Sequence, residues 1–134
     1  MAPGRPADRG RAGSGDAGVN ILVILNDPPY GTERSYNGLR LALSLAKQPE
    51  VDLRVFLMAD AVRCAQRGQQ TPDGYYNIER MVTGLRVKKV PIGACGTCME
   101  ARGMGDEALI EGAHRSSMAE LTTWTLWADK VVSF

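Results

Sequence analysis

The chain has 134 residues, with 16 basic and 15 acidic side chains and a net charge of +1. That balance gives no bulk electrostatic case for nucleic acid or for an anionic membrane surface as a partner. A hydrophobic fraction of 44% suits a globular core, no apolar run approaches the ~20 residues of a membrane helix, and no N-terminal stretch has the makeup of a secretory signal.

Residues 1–18 hold five glycines and two prolines and almost no large apolar side chain, so they read as a disordered tail in which Arg5, Arg9 and Arg11 offer only an incidental basic contact. Order is expected from residue 19 to 134. Residues 19–25 form an apolar run broken only by Asn20, as in a strand buried on both faces. The sequence around Pro28, Pro29, Tyr30 and Gly31 stops it. Thr32 reads as an N-cap with Glu33 in the first turn of a helix to about residue 47, whose inner face carries Tyr36, Leu39, Leu43 and Ala46. Residues 51–58 alternate as a second strand. A short helix follows over 60–66, then a polar loop over 67–74 and a helix over 75–85 with Ile78, Met81, Val82 and Leu85 inward. Residues 87–92 read as a third strand, 106–111 as a short helix, and Ser116 or Ser117 as the cap of a helix to about residue 128. Val131, Val132 and Phe134 close the chain as a last strand.

Strands alternating with helices imply right-handed crossovers and a mainly parallel α/β sheet, with reactive sites at the carboxyl ends of strands. Two strand-end loops stand out. One holds Pro29, Tyr30, Gly31 and Thr32, lacks any phosphate-loop or dinucleotide fingerprint, and is expected to form one wall of the site. The other holds Cys95, Gly96, Thr97 and Cys98, followed by Arg102 and Gly103.

Three cysteines, an odd number, argue against a disulfide framework. With no secretory signal the expected location is the cytoplasm, where thiols stay reduced. A helix start behind Cys95 and the charge of Arg102 would favour its thiolate, the form that attacks sulfur. Cys98 reads equally as a resolving thiol or as a small packed residue, and Cys64 as core. One C-x-x-C with a single distant histidine, His114, is too few ligands for zinc within one chain, and no metal or other cofactor is expected. Trp124 and Trp127, with Met118 and Leu121, read as core or subunit-interface anchors.

Three segments give the chain a resemblance to the DsrE/DsrF-like family, which includes TusD-type sulfur-relay subunits and YchN-like proteins. They are Pro29-Tyr30-Gly31-Thr32 after the first strand, Cys95 with Arg102 and Gly103 behind it, and the ending Ala128-Asp129-Lys130-Val131-Val132-Ser133-Phe134. The resemblance covers about residues 19–134. It implies a three-layer α/β/α sandwich on a mainly parallel sheet of four to five strands, and assembly into a homo-oligomer: a dimer, trimer or hexamer. It further implies a sulfurtransferase-like sulfur carrier in which Cys95 accepts sulfane sulfur as a persulfide and exchanges it with a donor or acceptor protein. Cys98 lies outside the relay pattern. A second thiol there would attack a Cys95 persulfide, releasing sulfide and leaving a disulfide, so the alternatives are a dithiol redox protein and a non-catalytic oligomeric family member.

Overall fold

The computed structural model describes residues 18–134. The tail expected over residues 1–18, with its three arginines, therefore lies outside the described residues apart from Gly18. Among the described residues there are five strands: β1 Val19–Leu25, β2 Val51–Leu57, β3 Ile92–Cys95, β4 Ala113–Ser116 and β5 Lys130–Ser133. They pair in the order β4-β3-β2-β1-β5, every pair parallel. Four α-helices accompany them: α1 Arg34–Ala46, α2 Ile78–Val87, α3 Gly96–Glu100 and α4 Met118–Trp127.

Parallel partners in register share a face of the sheet. Leu22 and Ile24 lie beside Arg54 and Phe56, and that face meets α4: the Phe56 and Trp124 rings pack edge to face at 6.2 Å. Leu25 lies beside Leu57 on the other face, against α1, where Gly38 leaves no room for a Cβ beside the Leu25 side chain. The steps β1 to β2 and β2 to β3 move one way across the sheet, and the step β4 to β5 returns across its whole width. Right-handed crossovers put α1 and α2 on one face and α4 alone on the other. This is the expected α/β/α sandwich, with unequal layers.

Asn20, the polar break in β1, is fully buried and has a job. Its side-chain amide donates to the Trp127 carbonyl at 3.1 Å, and its backbone N–H donates to the Asp129 carboxylate at 2.8 Å. The end of α4 and the start of β5 are thereby tied to the central strand. Arg54 lies 3.9 Å from the Trp127 ring centre and 5.6 Å from that of Trp124, so the two tryptophans act in part as a cation–π clamp within the fold.

Several expected elements move. Thr32 does not cap α1: its hydroxyl donates to Asp27 at 2.8 Å, Glu33 takes the N-cap position without a side-chain cap bond, and the first turn holds no acid. The segment expected as strand 87–92 is the end of α2 at an exposed Val87, then a turn with Lys89 at φ 64°; β3 begins only at Ile92 and ends on Cys95. Residues 59–65 wind as a 3₁₀ segment rather than an α-helix. The helix expected over 106–111 is a single 3₁₀ turn at Asp106–Ala108. α2 starts at Ile78 under an Asn77 cap, which leaves Tyr75 and Tyr76 outside it. Of the two serines proposed for α4, Ser117 is the cap, accepting from Glu120 N–H at 3.2 Å.

Candidate functional site

β3 runs straight into α3, and Cys95 is the residue at the join. It occupies the N-cap position usually held by Ser, Thr, Asp or Asn, with its sulfur in the role of the capping oxygen. The Cys98 backbone N–H donates to Cys95 Sγ at 3.4 Å, and the Thr97 hydroxyl lies 3.4 Å from the same sulfur. Gly96 makes this turn possible: a Cβ there would sit 2.8 Å from the Ser116 carbonyl oxygen and 3.2 Å from Arg115 Nε. β4 thus approaches the thiol turn more closely than any side chain at position 96 would allow.

Cys95 is only 8% exposed. Desolvation pushes its thiol up, but hydrogen bonds from the Cys98 and Thr97 side chains and backbones outweigh it and leave the pKa below the ordinary thiol value. Cys98 moves the other way. Desolvation is the main cause, followed by its hydrogen bond with Cys95, while the Ala59 amide and Arg102 oppose the rise. The two side chains share a hydrogen bond that lowers the Cys95 pKa and raises that of Cys98, so the two titrate as a pair.

The environment of Cys98 is built from β2 and the 3₁₀ segment behind it. Ala59 N–H donates to Cys98 Sγ at 3.2 Å, and Ala59 adopts a left-handed φ of 53°, a conformation that a residue with a Cβ holds only at a cost. Arg102 closes the other side. Its guanidinium donates to the Cys98 carbonyl at 3.0 Å and to Asp60 at 2.8 and 2.7 Å. The sequence suggested Arg102 as the charge beside Cys95, whereas the structure seats it on Cys98 and Asp60. Gly103, expected to line the site, instead ends α3. At φ 66° it donates to the Glu100 carbonyl at 3.1 Å while Met104 N–H reaches the Met99 carbonyl at 2.9 Å, the bond pair of a Schellman helix end.

On the α4 side of the sheet Cys95 opens into a cavity of about 240 Å³. Phe56 and Met58 from β2 and the residue after it form the apolar floor, with Gly96, Thr97 and Glu100 on one wall. The opposite wall is Arg115, Ser116, Ser117 and Met118, brought there because Ser116 pairs with Cys95 in the sheet. Arg115 is held by Glu100 at 2.6 Å and Asp106 at 3.5 Å. Ser116 donates to the Glu120 carboxylate at 2.5 Å, and the same carboxylate bonds His114 Nε2. Burial raises the Glu120 pKa, but the Ser116 and His114 hydrogen bonds and the charges of His114 and Arg54 overcome this and lower it. Sequence reasoning missed this wall. The signal was the short β4 itself, whose four residues, Ala-His-Arg-Ser, lack any apolar pattern.

The other expected wall is absent from the cavity. β1 and β3 are separated by β2, so their carboxyl ends lie roughly 10 Å apart at the usual strand spacing. Pro29, Tyr30, Gly31 and Thr32 build a separate structure. Tyr30 donates to Gln69 at 2.6 Å, accepts from Ile78 N–H at 3.0 Å, and stacks on Tyr76 at 5.9 Å, which in turn stacks on Tyr36 at 4.2 Å. Gly31 supplies the φ of 100° that this turn needs. Cys64 lies under the same loop, fully buried, its thiol donating to the Asp27 carbonyl at 3.8 Å and its pKa pushed up to about 12 chiefly by burial. Among the described residues no group of three His, Cys, Asp or Glu side chains is arranged to hold a metal ion, and no helix is long and apolar enough to cross a membrane.

A sequence model of the DsrE/DsrF-like family matches residues 19–134. Protein YchN of Escherichia coli K12 is 44% identical over 115 residues, 85% of this chain and 97% of that protein. The uncharacterized protein MK0008 of Methanopyrus kandleri is 33% identical over 118 residues, 87% of this chain and 96% of that one. Among solved structures, the crystal structure of the E. coli ychN protein superposes with a TM-score of 0.82 at 44% identity, covering 87% of this chain and 99% of that one. MTH1491 of Methanobacterium thermoautotrophicum shares the fold at a TM-score of 0.65 and 17% identity, covering 87% of this chain and 99% of that one.

Proposed function

This chain belongs to the DsrE/DsrF-like family, and from that premise we propose that it is a sulfur carrier in which Cys95 takes up sulfane sulfur as a persulfide. The observation that carries this reading is the Cys95 sulfur itself. It accepts the Cys98 amide hydrogen bond, lies beside the Thr97 hydroxyl, and opens into a cavity with room for a further sulfur. Hydrogen bonds to the sulfur stabilise its charged form, and the thiolate is the nucleophile. The Cys95 thiolate attacks the outer sulfur of a donor persulfide, the donor S–S bond breaks, and the donor leaves as a thiolate. The apolar floor of Phe56 and Met58 limits water around the product.

The donor is a persulfide-bearing protein of a compartment that keeps thiols reduced, which for this chain is the cytoplasm. Self-assembly belongs to the same reading. Met118 and Leu126 on α4 are 64% and 66% exposed although Leu121, Trp124 and Trp127 bury its inner side, and a helix apolar on both sides suits a place between subunits. Sedimentation velocity is expected to show a dimer, trimer or hexamer that Leu126→Glu dissociates; a wild-type monomer at micromolar concentration contradicts it.

The test of sulfur uptake uses the Cys98→Ser protein, in which a hydroxyl keeps a donor beside Cys95. Mixed with persulfide-loaded rhodanese free of small thiols, it gains the mass of one sulfur atom on the Cys95 peptide. Cys95→Ser gains none. Absence of the gain in Cys98→Ser, or its persistence in Cys95→Ser, overturns the reading.

A further inference from the structure

The two thiols of the turn have different surroundings. Cys95 is 8% exposed and lines the cavity beneath α4, whereas Cys98 is half-buried, does not line that cavity, and meets the 3₁₀ segment through the Ala59 amide. Cys98 is also held from two sides. The Ala59 amide donates to its sulfur, and Arg102 grips its carbonyl from an anchor on Asp60. A packed bystander cysteine needs neither a strained backbone amide aimed at its sulfur nor an ion pair closed over its carbonyl. The Cys98 backbone amide donates to Cys95 Sγ at 3.4 Å, and the two side chains share a hydrogen bond, so the second thiol is the immediate neighbour of the first.

We infer that Cys98 is a resolving thiol that discharges the Cys95 persulfide within the chain, so that sulfur leaves this site as hydrogen sulfide and an external dithiol closes the cycle. The inference rests on Cys95 being the sulfur acceptor. Cys98 Sγ attacks Cys95 Sγ, the bond from Cys95 to the outer sulfur breaks, and that sulfur leaves as hydrosulfide, carrying off the electron pair and gaining a proton from the Cys98 thiol. The two cysteines are oxidised to one disulfide, and the sulfane sulfur is reduced to sulfide. A dithiol reductant then attacks the more accessible Cys98 and expels Cys95, which is the better leaving group because its thiolate is the more stabilised. Each turn consumes one donor persulfide and one dithiol and yields one sulfide and one reductant disulfide. Arg102 and Asp60 act as positioning residues, holding Cys98 on the line of attack.

The test is a single turnover with one equivalent of persulfide-loaded rhodanese and no free thiol. Wild type is expected to release one sulfide per chain and to end two hydrogens lighter, with a disulfide between the Cys95 and Cys98 peptides. Cys98→Ser and Cys98→Ala are expected to keep the sulfur on Cys95 and to lower sulfide release at least tenfold, with near-ultraviolet circular dichroism showing that both remain folded. Wild type that keeps its persulfide and forms no disulfide overturns the inference while leaving sulfur uptake standing. If neither Cys98 variant takes up sulfur, the sulfur-carrier reading fails first.

Discussion

Cys64 and Cys95 are both buried thiols near the carboxyl edge of one sheet, yet they have opposite chemistry. Cys64 keeps its proton, donating a hydrogen bond to the Asp27 carbonyl, and burial raises its pKa to about 12. Cys95 receives, accepting from the Cys98 amide and lying against the Thr97 hydroxyl, and its pKa falls. Burial acts on both in the same direction and prevails at Cys64, whereas at Cys95 the hydrogen bonds to the sulfur outweigh it. The loops that hold them differ in the same sense. Residues 26–33 spend their polar groups on one another and on Ser35, Gln69, Ile78, Ser133 and Phe134, while the Cys98 amide and Thr97 hydroxyl of the Cys95 turn meet a sulfur.

The contrast is broken most completely by Cys95→Ser, which is expected to abolish sulfur uptake in the intact-mass assay while Cys64→Ala leaves it in place. Gly96→Ala comes next. Its Cβ would sit 2.8 Å from the Ser116 carbonyl, so β4 must shift, at a cost of about 1–3 kcal/mol read by urea denaturation, with loading slowed as the cavity wall moves. Arg102→Ala frees the Cys98 carbonyl and Asp60, and single-turnover sulfide release is expected to slow on the order of tenfold; an unchanged rate would remove Arg102 from the positioning role. Thr97→Val is the mildest change. It deletes one polar neighbour of Cys95 Sγ, a contact of about 0.5–1.5 kcal/mol, and moves the pH midpoint of Cys95 alkylation upward.

The two thiols also predict opposite linkage to stability. The folded-state pKa of Cys95 is depressed, so its contribution is present above the unfolded thiol value and is lost as pH falls through the folded value. The folded-state pKa of Cys64 is raised, so its contribution is complete below the unfolded value and is lost as pH climbs toward about 12. Denaturation of Cys64→Ala and wild type across alkaline pH should show the difference between them shrink as pH rises.

How much of this was legible in the chain depended on the range of the interaction. β1, β2 and α1 carry long apolar patterns, and burial followed them. The thiol turn was legible because Cys95, Gly96, Thr97 and Cys98 are neighbours in sequence. The misreadings were of two kinds. Residues 87–92 look like a strand, but their apolar positions belong to the end of α2, a left-handed turn at Lys89 and the approach to β3, with Pro91 unable to donate to a ladder. β4 carries His114 and Arg115 on an exposed edge, where polar residues blunt further pairing and erase the strand pattern. Because β4 was invisible, the wall it brings to Cys95 was assigned to residues 29–32, and the ion pair of Arg102 with Asp60, 42 residues apart, left no local mark.

The central claim is that hydrogen bonds to its sulfur make Cys95 the reactive thiol of this protein. The most direct test is the alkylation rate of each cysteine in the folded wild type, followed by peptide mass across pH. Cys95 is expected to react first, with a midpoint below that of an ordinary thiol, Cys98 second with a higher midpoint, and Cys64 not at all until the protein unfolds. Reaction at Cys98 or Cys64 ahead of Cys95, or a Cys95 midpoint at or above the ordinary thiol value, would contradict the account.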